Sequence, residues 1–454
     1  VAQRWETSAD GLTWIFHLRP ALAWSDGKKL TAEDFVWSFR RALAPDTASP
    51  EAEVLYPIAG AEALNQGQAT DPSTLGVSAP DLDTLKITLA SPTPFLTGIL
   101  ALMVAAPVPR QAIEQAGAEW ARPGSIVSNG AFVMTGWTPQ LEVVLARNPH
   151  YWNADKIRLD GVRWVTMEDK ETSLRLFQNG ELDIAVVGQQ DVKRLRRDLP
   201  DSLRTDTTLR TDYLVVNTDV KPFDDIRVRR ALSMAIDRDV IAGKIDPHGQ
   251  KPATGLVPPG MEGYTPQTPD WAAWPMGERL DKAKALLQEA GFDATHRLHV
   301  DLTYATDDGH RLTLAAIAGM WHRIGVDASV ENQENRVFNA ALRDRQEMVA
   351  YTDWIADFAD PLSFLATLDS ASVQENNGDY RNRDYDSLLA RAAATLDPAA
   401  RMVLLEAAEK LADDEAPVIP IAYETRPVLV SPKLHGYIGN PLESYLSRDL
   451  WLDN

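Results

Sequence analysis

Apolar positions along the first hundred residues follow two different spacings. TWIFHL (Thr13–Leu18) is rich in aromatic and β-branched residues and TLKITLA (Thr84–Ala90) alternates, so both predict strands. WSDGKKL carries the turn pair Asp26-Gly27. AEDFVWSFRRAL then places apolar residues at 35, 36, 39 and 43, a helical spacing, with Thr31 as N-cap and Glu33 and Asp34 in the first turn. Helix ETSLRLFQNG closes at Gly180 and leads into a buried-strand pattern, LDIAVVG.

The pattern sharpens from about Asp212. DYLVVNT predicts a strand, and PFDDIRVRRALSMAIDRDVI predicts a helix beginning near Asp224 or Asp225. GERLDKAKALLQEAG is an amphipathic helix ended by Gly291. LHVDLTYAT, RLTLAAIAGMWHRIG and VDASVENQ predict a β-α-β unit with parallel strands. A helix near Arg336–Asp344, strand EMVAYTD, helix AARMVLLEAAEKLADDE and two strands in PVIPIAYETRPVLVS follow. The class is α/β, in at least two lobes, with the chain crossing between lobes more than once.

One stretch breaks its own pattern. YTDWIADFADPLSFL (Tyr351–Leu365) sets three aspartates among Trp, Ile, Phe and Leu. Asp360 precedes Pro361 and an apolar run, as the N-cap of a short helix does. Asp353 is read as pointing to solvent. Asp357 has apolar neighbours on both sides, and a carboxylate there is costly unless a cation or several donors meet it.

Length and charge narrow the function. The 454 residues suffice for two or three domains, and 44% hydrophobic content is ordinary for a globular protein. The longest apolar run, Phe95–Pro109, is too short to span a membrane. A net charge of −20 argues against nucleic acid or an anionic membrane as partner. With no cysteine, disulfides, cysteine nucleophiles and Cys-ligated metal sites are excluded. The opening VAQRWETSADG has no signal-peptide pattern and reads like the middle of a domain, so the expectation is a chain that has lost its natural start.

Catalytic signatures are missing. There is no Walker loop, G-x-S-x-G elbow, H-E-x-x-H or strand-linked G-x-G-x-x-G. His296 and His299 flank a strand, where their spacing sends them to opposite faces. Asp224-Asp225 reads as a helix start and Asp413-Asp414 as a solvated helix end. Among thirteen tryptophans, Trp354 and Trp37 either pack in a core or line a ligand cleft.

TWIFHLRP and WSDGKKLTAEDFVWSFRRAL resemble the signature of the large family 5 solute-binding proteins that serve ABC importers of peptides and related solutes. The likeness continues through TASPEA, GSIVSNGAFVMTGW, NPHYWN, FQNGELDIA, KPFDDIRVRRALSMAIDRDVI, DWIADFADPLSFL and PVIPIAYETRPVLV. TASP, IVSNGAF and ADxxxPxSFL are most similar to the periplasmic oligopeptide-binding branch. The resemblance implies a two-lobed, type II-like clamshell with an additional domain. Residues 1–110 would be that extra domain, 111–210 with 428–454 the first ligand lobe, and 211–427 the second. It also implies a periplasmic, monomeric receptor rather than an enzyme. No cofactor is expected. The partners would be an oligopeptide and an inner-membrane permease, with capture by β-strand addition between the lobes.

Residue by residue, the resemblance puts Asp357 where the family's carboxylate binds a peptide's α-ammonium, an arrangement that suits an acid in apolar company. Trp354 matches a cleft tryptophan. His310, opening a helix, matches a histidine that meets the C-terminal carboxylate of longer peptides. The departures lie at the ligand's far end. The family's basic residues there are Asp246, Leu342 and Tyr351 in this chain, a cleft aromatic is Asn335, and the tyrosine expected after TASP is Glu51. Nearby Arg343 and Arg345 are the candidates to substitute. Disulfide positions of the family hold Arg210 and Ile355. Asp353 joins the expected ligand-binding set. A non-peptide or modified solute (a nickel complex, haem, an opine, an oligosaccharide) stays open as the alternative, as does a peptide hydrolase, for which no nucleophile–base pair is evident.

Overall fold

The computed structural model describes residues 1–453 except Glu168, 189–190, 246–249, Val373 and 443–445, and for Asp308 the backbone alone. Asp246, assigned above to a far-end position, lies outside the described residues. The chain folds into two compact units, one of residues 1–183, 431–438 and 445–454, the other of 184–430 and 439–444. Among the described residues no helix is long and apolar enough to cross a membrane.

The first unit opens with antiparallel strands β1 (Ala2–Thr7), β2 (Thr13–Leu18), β3 (Val77–Asp81) and β4 (Thr84–Thr88), in the order β1-β2-β4-β3. Helix Ala32–Leu43 covers this sheet with the predicted apolar face, burying Phe35, Val36, Phe39 and Leu43. The Thr31 amide donates to Asp34 Oδ2 at 2.7 Å, the reciprocal half of a capping box. A second antiparallel sheet, β5 (Phe132–Thr138), β6 (Glu142–Arg147) and β7 (Gly161–Val165), has little buried surface. Trp37 is partly buried on its helix, with the Arg110 guanidinium 5.9 Å from its ring centre.

The second unit is built on one mixed sheet: β8 (Ile184–Val186), β9 (Leu203–Val216), β10 (Lys251–Pro252), β11 (Leu298–Ala305), β12 (Val326–Gln333), β13 (Val349–Ile355) and β14 (Val418–Val430). The order is β10-β14-β9-β13-β11-β12, with β8 paired to β14. A short pair, β15 (Leu434–His435) and β16 (Trp451–Leu452), belongs to the first unit. Strands β11 and β12 are parallel around helix Asp308–His322, the predicted β-α-β unit.

Strand β9 shows how the layers form. Leu214 and Val216 point into a core shared with helices Ile226–Met234, Met276–Glu289 and Asp308–His322. Leu209, Tyr213 and Val215 point into the opposite core, shared with helices Asn335–Arg343, Arg383–Ala394 and Pro398–Glu415. Strand β13 alternates likewise, with Val349 and Tyr351 on the first face and Ala350 and Trp354 on the second.

The structure corrects three expectations. PVIPIAYETRPVLVS forms a single strand, β14, which shifts register between Pro420 and Ala422 and again between Tyr423 and Thr425. The helix from Asp225 ends at Met234, and Asp237 caps a separate short turn by accepting from the Val240 amide. Asp413 is not solvated: its Oδ2 is buried, and burial followed by the neighbouring Glu409 charge pushes its carboxyl well above the usual range.

Candidate ligand-binding site

The Tyr351–Leu365 segment runs off the end of β13 into a short helix at Leu362–Leu365. Asp360 does cap that turn, accepting from the Leu362 amide at 2.9 Å. Sequence reading missed its second role. Arg401, on helix Pro398–Glu415, donates to both Asp360 oxygens at 2.6 and 2.8 Å, and both side chains are buried. That is a complete, bidentate pair.

Asp357 has no such partner. Among the described residues no basic nitrogen lies within ion-pairing distance, and the Ser363 hydroxyl accepts from its amide at 3.0 Å. The residue as a whole is exposed, yet its carboxyl end is desolvated by its surroundings. Burial holds its pKa above the ordinary aspartate value, opposed by the Ser363 hydroxyl and its own backbone. Trp354 packs partly against the same core as Ala356 and Phe364, and its indole N–H is buried without a hydrogen-bond acceptor.

The other expected residues gather on the opposite face of the sheet. Asp353 stands directly across from Asp212 in the antiparallel β9–β13 register. It is not a solvent-directed carboxylate: Arg210 Nε lies 3.1 Å from its Oδ2. The same guanidinium reaches Asp212 Oδ1 at 3.6 Å and Glu424 Oε2 at 3.1 Å. Tyr351 donates to Asp212 Oδ2 at 3.3 Å, and the Gln250 amide donates there at 2.9 Å. His310, in the first turn of its helix, sets its ring edge-on to Tyr351 with centroids 4.9 Å apart. Burial pushes the Asp212 carboxyl up to about 7; Arg210 pulls it down while Asp353 and Glu424 push it further up.

Asn335 belongs to neither group. It opens helix Asn335–Arg343 as an exposed residue, and Glu334 caps that helix. Leu342 is buried in the core. Arg345 is committed to Asp379, which Arg381 also meets at 2.7 Å, and Arg343 is exposed. Thus Tyr351 and Asp353 meet Asp212, which sequence reading passed over, and His310 joins them through the Tyr351 ring, while Trp354 faces the opposite core and Asp357 follows the end of β13. The missed signal was available in DYLVVNT: alternation sets Asp212 with Leu214 and Val216 on one buried face.

The family model described as "Bacterial extracellular solute-binding proteins, family 5 Middle" matches residues 1–376. The periplasmic oligopeptide-binding protein OppA of Escherichia coli is 36% identical over 460 residues, covering all of this chain and 84% of OppA. The probable deoxycholate-binding periplasmic protein YgiS of the same organism is 38% identical, covering 99% of this chain and 84% of YgiS. Among solved structures, the MppA periplasmic murein tripeptide binding protein in its unliganded open form gives a TM-score of 0.93 at 34% identity, covering all of this chain and 88% of that one. Haemophilus influenzae OppA in complex with RPPGFSPFR gives 0.73 at 29% identity, covering 99% and 89%. With a family match over most of its length and full-length likeness in both sequence and fold, the chain belongs to the bacterial extracellular solute-binding proteins of family 5.

Proposed function

We propose that this protein is the solute-binding component of an ABC importer and captures oligopeptides by their free N-terminus. It would act as a periplasmic monomer that holds its ligand by backbone pairing and hands it to a membrane permease. The family's clamshell, with residues 1–110 as an extra domain and 111–210 plus 428–454 and 211–427 as ligand lobes, is part of this proposal.

The observation that carries the reading is Asp357. It keeps a carboxylate in desolvating company with no cation among the described residues, three residues from an aspartate that Arg401 meets at both oxygens. An α-ammonium supplies the missing charge and up to three donors. Trp354 supports the same reading, because its unmatched indole N–H suits a ligand carbonyl. Calorimetry with paired free and N-acetylated peptides tests it. Acetylation should weaken binding by about 2–5 kcal/mol, the range for leaving one partner of a desolvated charge pair alone. Equal affinities would remove Asp357 from this role.

A non-peptide solute is the second reading, favoured by one observation: a relative 38% identical to this chain is named as probably deoxycholate-binding. An anionic steroid would find an unneutralised carboxylate at Asp357, which disfavours it. Titrating deoxycholate beside the peptides separates the two.

A further inference from the structure

The turn between β13 and the helix at Leu362–Leu365 is pinned at both ends. At its start the Ala356 amide donates to the Leu209 carbonyl on β9 at 2.9 Å. At its end the Ser363 amide donates to the Asp360 carbonyl at 3.0 Å, and Arg401 clasps the Asp360 carboxylate from the helix behind. Ser363 is 6% exposed, so its hydroxyl is held among protein groups. That hydroxyl closes the turn. It accepts from the Asp357 amide at 3.0 Å and also bears on the Asp357 carboxylate, whose charged form it favours. Burial is the larger influence on this carboxyl and acts in the opposite sense. The Ser363 hydroxyl comes next and the residue's own backbone after it, with no charged side chain of the described residues among these influences.

A hydroxyl carries one proton and two lone pairs, so it can accept from the amide and donate to the carboxylate of one residue. Such a bridge fixes the Asp357 side chain against its own main chain. We propose that Ser363 is a positioning residue for ligand capture: through its hydroxyl, the buried Asp360–Arg401 pair sets the direction in which Asp357 offers its carboxylate to the ligand's ammonium. This role rests on the reading of the protein as a binder of free peptide N-termini and adds the residue that orients its anchor. A capping role for Ser363 is redundant, since Asp360 already accepts from the Leu362 amide at 2.9 Å. A core-filling role would need no hydroxyl, and alanine would serve it.

The test compares the parent, Ser363→Ala and Ser363→Thr as full chains, by calorimetry with tetra-alanine and its N-acetylated form. Ser363→Ala should weaken the free peptide about fivefold and leave the acetylated one within about twofold, shrinking the penalty for acetylation. Ser363→Thr keeps the hydroxyl and should restore the parent's ratio. Equal losses for both peptides would point to a disturbed core and overturn the role. A second readout needs no peptide: carbon-13 NMR titration of the Asp357 carboxyl in the ligand-free protein, assigned with Asp357→Asn. In Ser363→Ala its midpoint should move to higher pH, because a bond that favours the charged form is gone. A midpoint that stays in place overturns the role whatever the peptides do. If the parent binds both peptides equally, or neither, while the midpoint moves, the α-ammonium reading falls and Ser363 keeps its hold on Asp357. Should the alanine chain fail to fold, Ser363→Cys supplies a weaker donor, and the same two readouts decide.

Discussion

Asp357 and Asp360 lie three residues apart, and the fold treats them in opposite ways: Arg401 clasps both oxygens of Asp360, while no basic group of the described chain reaches Asp357. Their substitutions should therefore separate. Asp360→Asn or Arg401→Met leaves one buried charge alone and should destabilise the unliganded protein by about 3–5 kcal/mol. Asp357 runs the other way. Its folded pKa is raised, so its ionised form weighs against the folded state at neutral pH, and Asp357→Asn should leave the ligand-free melting temperature equal or higher. Thermal and urea unfolding of the three variants decide this, and a large loss in Asp357→Asn would make that residue structural.

Trp354 invites a second substitution. Its indole N–H is buried without an acceptor, so removing that donor relieves a penalty while keeping most of the aromatic surface. Trp354→Phe should hold unliganded stability within about 0.5 kcal/mol. Peptide affinity should drop by about 1–2 kcal/mol if the indole bonds a ligand carbonyl. A destabilised apo protein with unchanged peptide affinity would assign the indole to the core.

The residues already announced much of this. The β-α-β unit was legible because a 3.6-residue period sits between two strand patterns, and Thr31 was legible because its capping partner, Asp34, is local. The apolar company of Asp357 was legible from its neighbours in sequence. What could not be read was partnership at long range. Alternation gives the face of Asp212, but its pairing with Asp353 joins positions 141 residues apart, and Arg401 is 41 residues from Asp360. The continuity of β14 was not legible, since Pro420 and Pro427 lack the amide a ladder uses; β14 accommodates them where its register shifts and beside its short pairing with β8.

Arg210 holds the acidic cluster together, so its loss should be felt most when the carboxylates are ionised. Arg210→Met should cost about 3 kcal/mol, at the low end for a broken buried pair because 28% of the side chain is exposed. The sign with pH follows from Asp212. Its folded pKa, about 7, already exceeds its unfolded value, and removing Arg210 takes away a lowering influence. The deficit should therefore grow as pH rises through 7 and shrink in mild acid. Urea midpoints of parent and variant between pH 5 and 8 measure it, and a deficit independent of pH would detach Arg210 from Asp212.

Glu409 offers the last test, away from any ligand. Burial pushes its carboxyl up to about 7 against the lowering pull of Tyr264 and the Gln267 and Val257 amides. Asp413, one turn along the same helix, is raised as well. A group whose folded pKa lies above its unfolded value stabilises most below the latter, so stability should fall as pH climbs from about 4.5 to 7. Glu409→Gln replaces one acceptor with a donor among three donors, which should cost about 1–3 kcal/mol and make that slope shallower. Gly255→Ala strikes the same clamp from outside, because its Cβ would sit 2.4 Å from the Gln267 carbonyl and 2.9 Å from Glu409 Oε1. It should destabilise without flattening the slope. If the parent's urea midpoint is level across that window, Glu409 is ionised throughout and its three donors outweigh its burial.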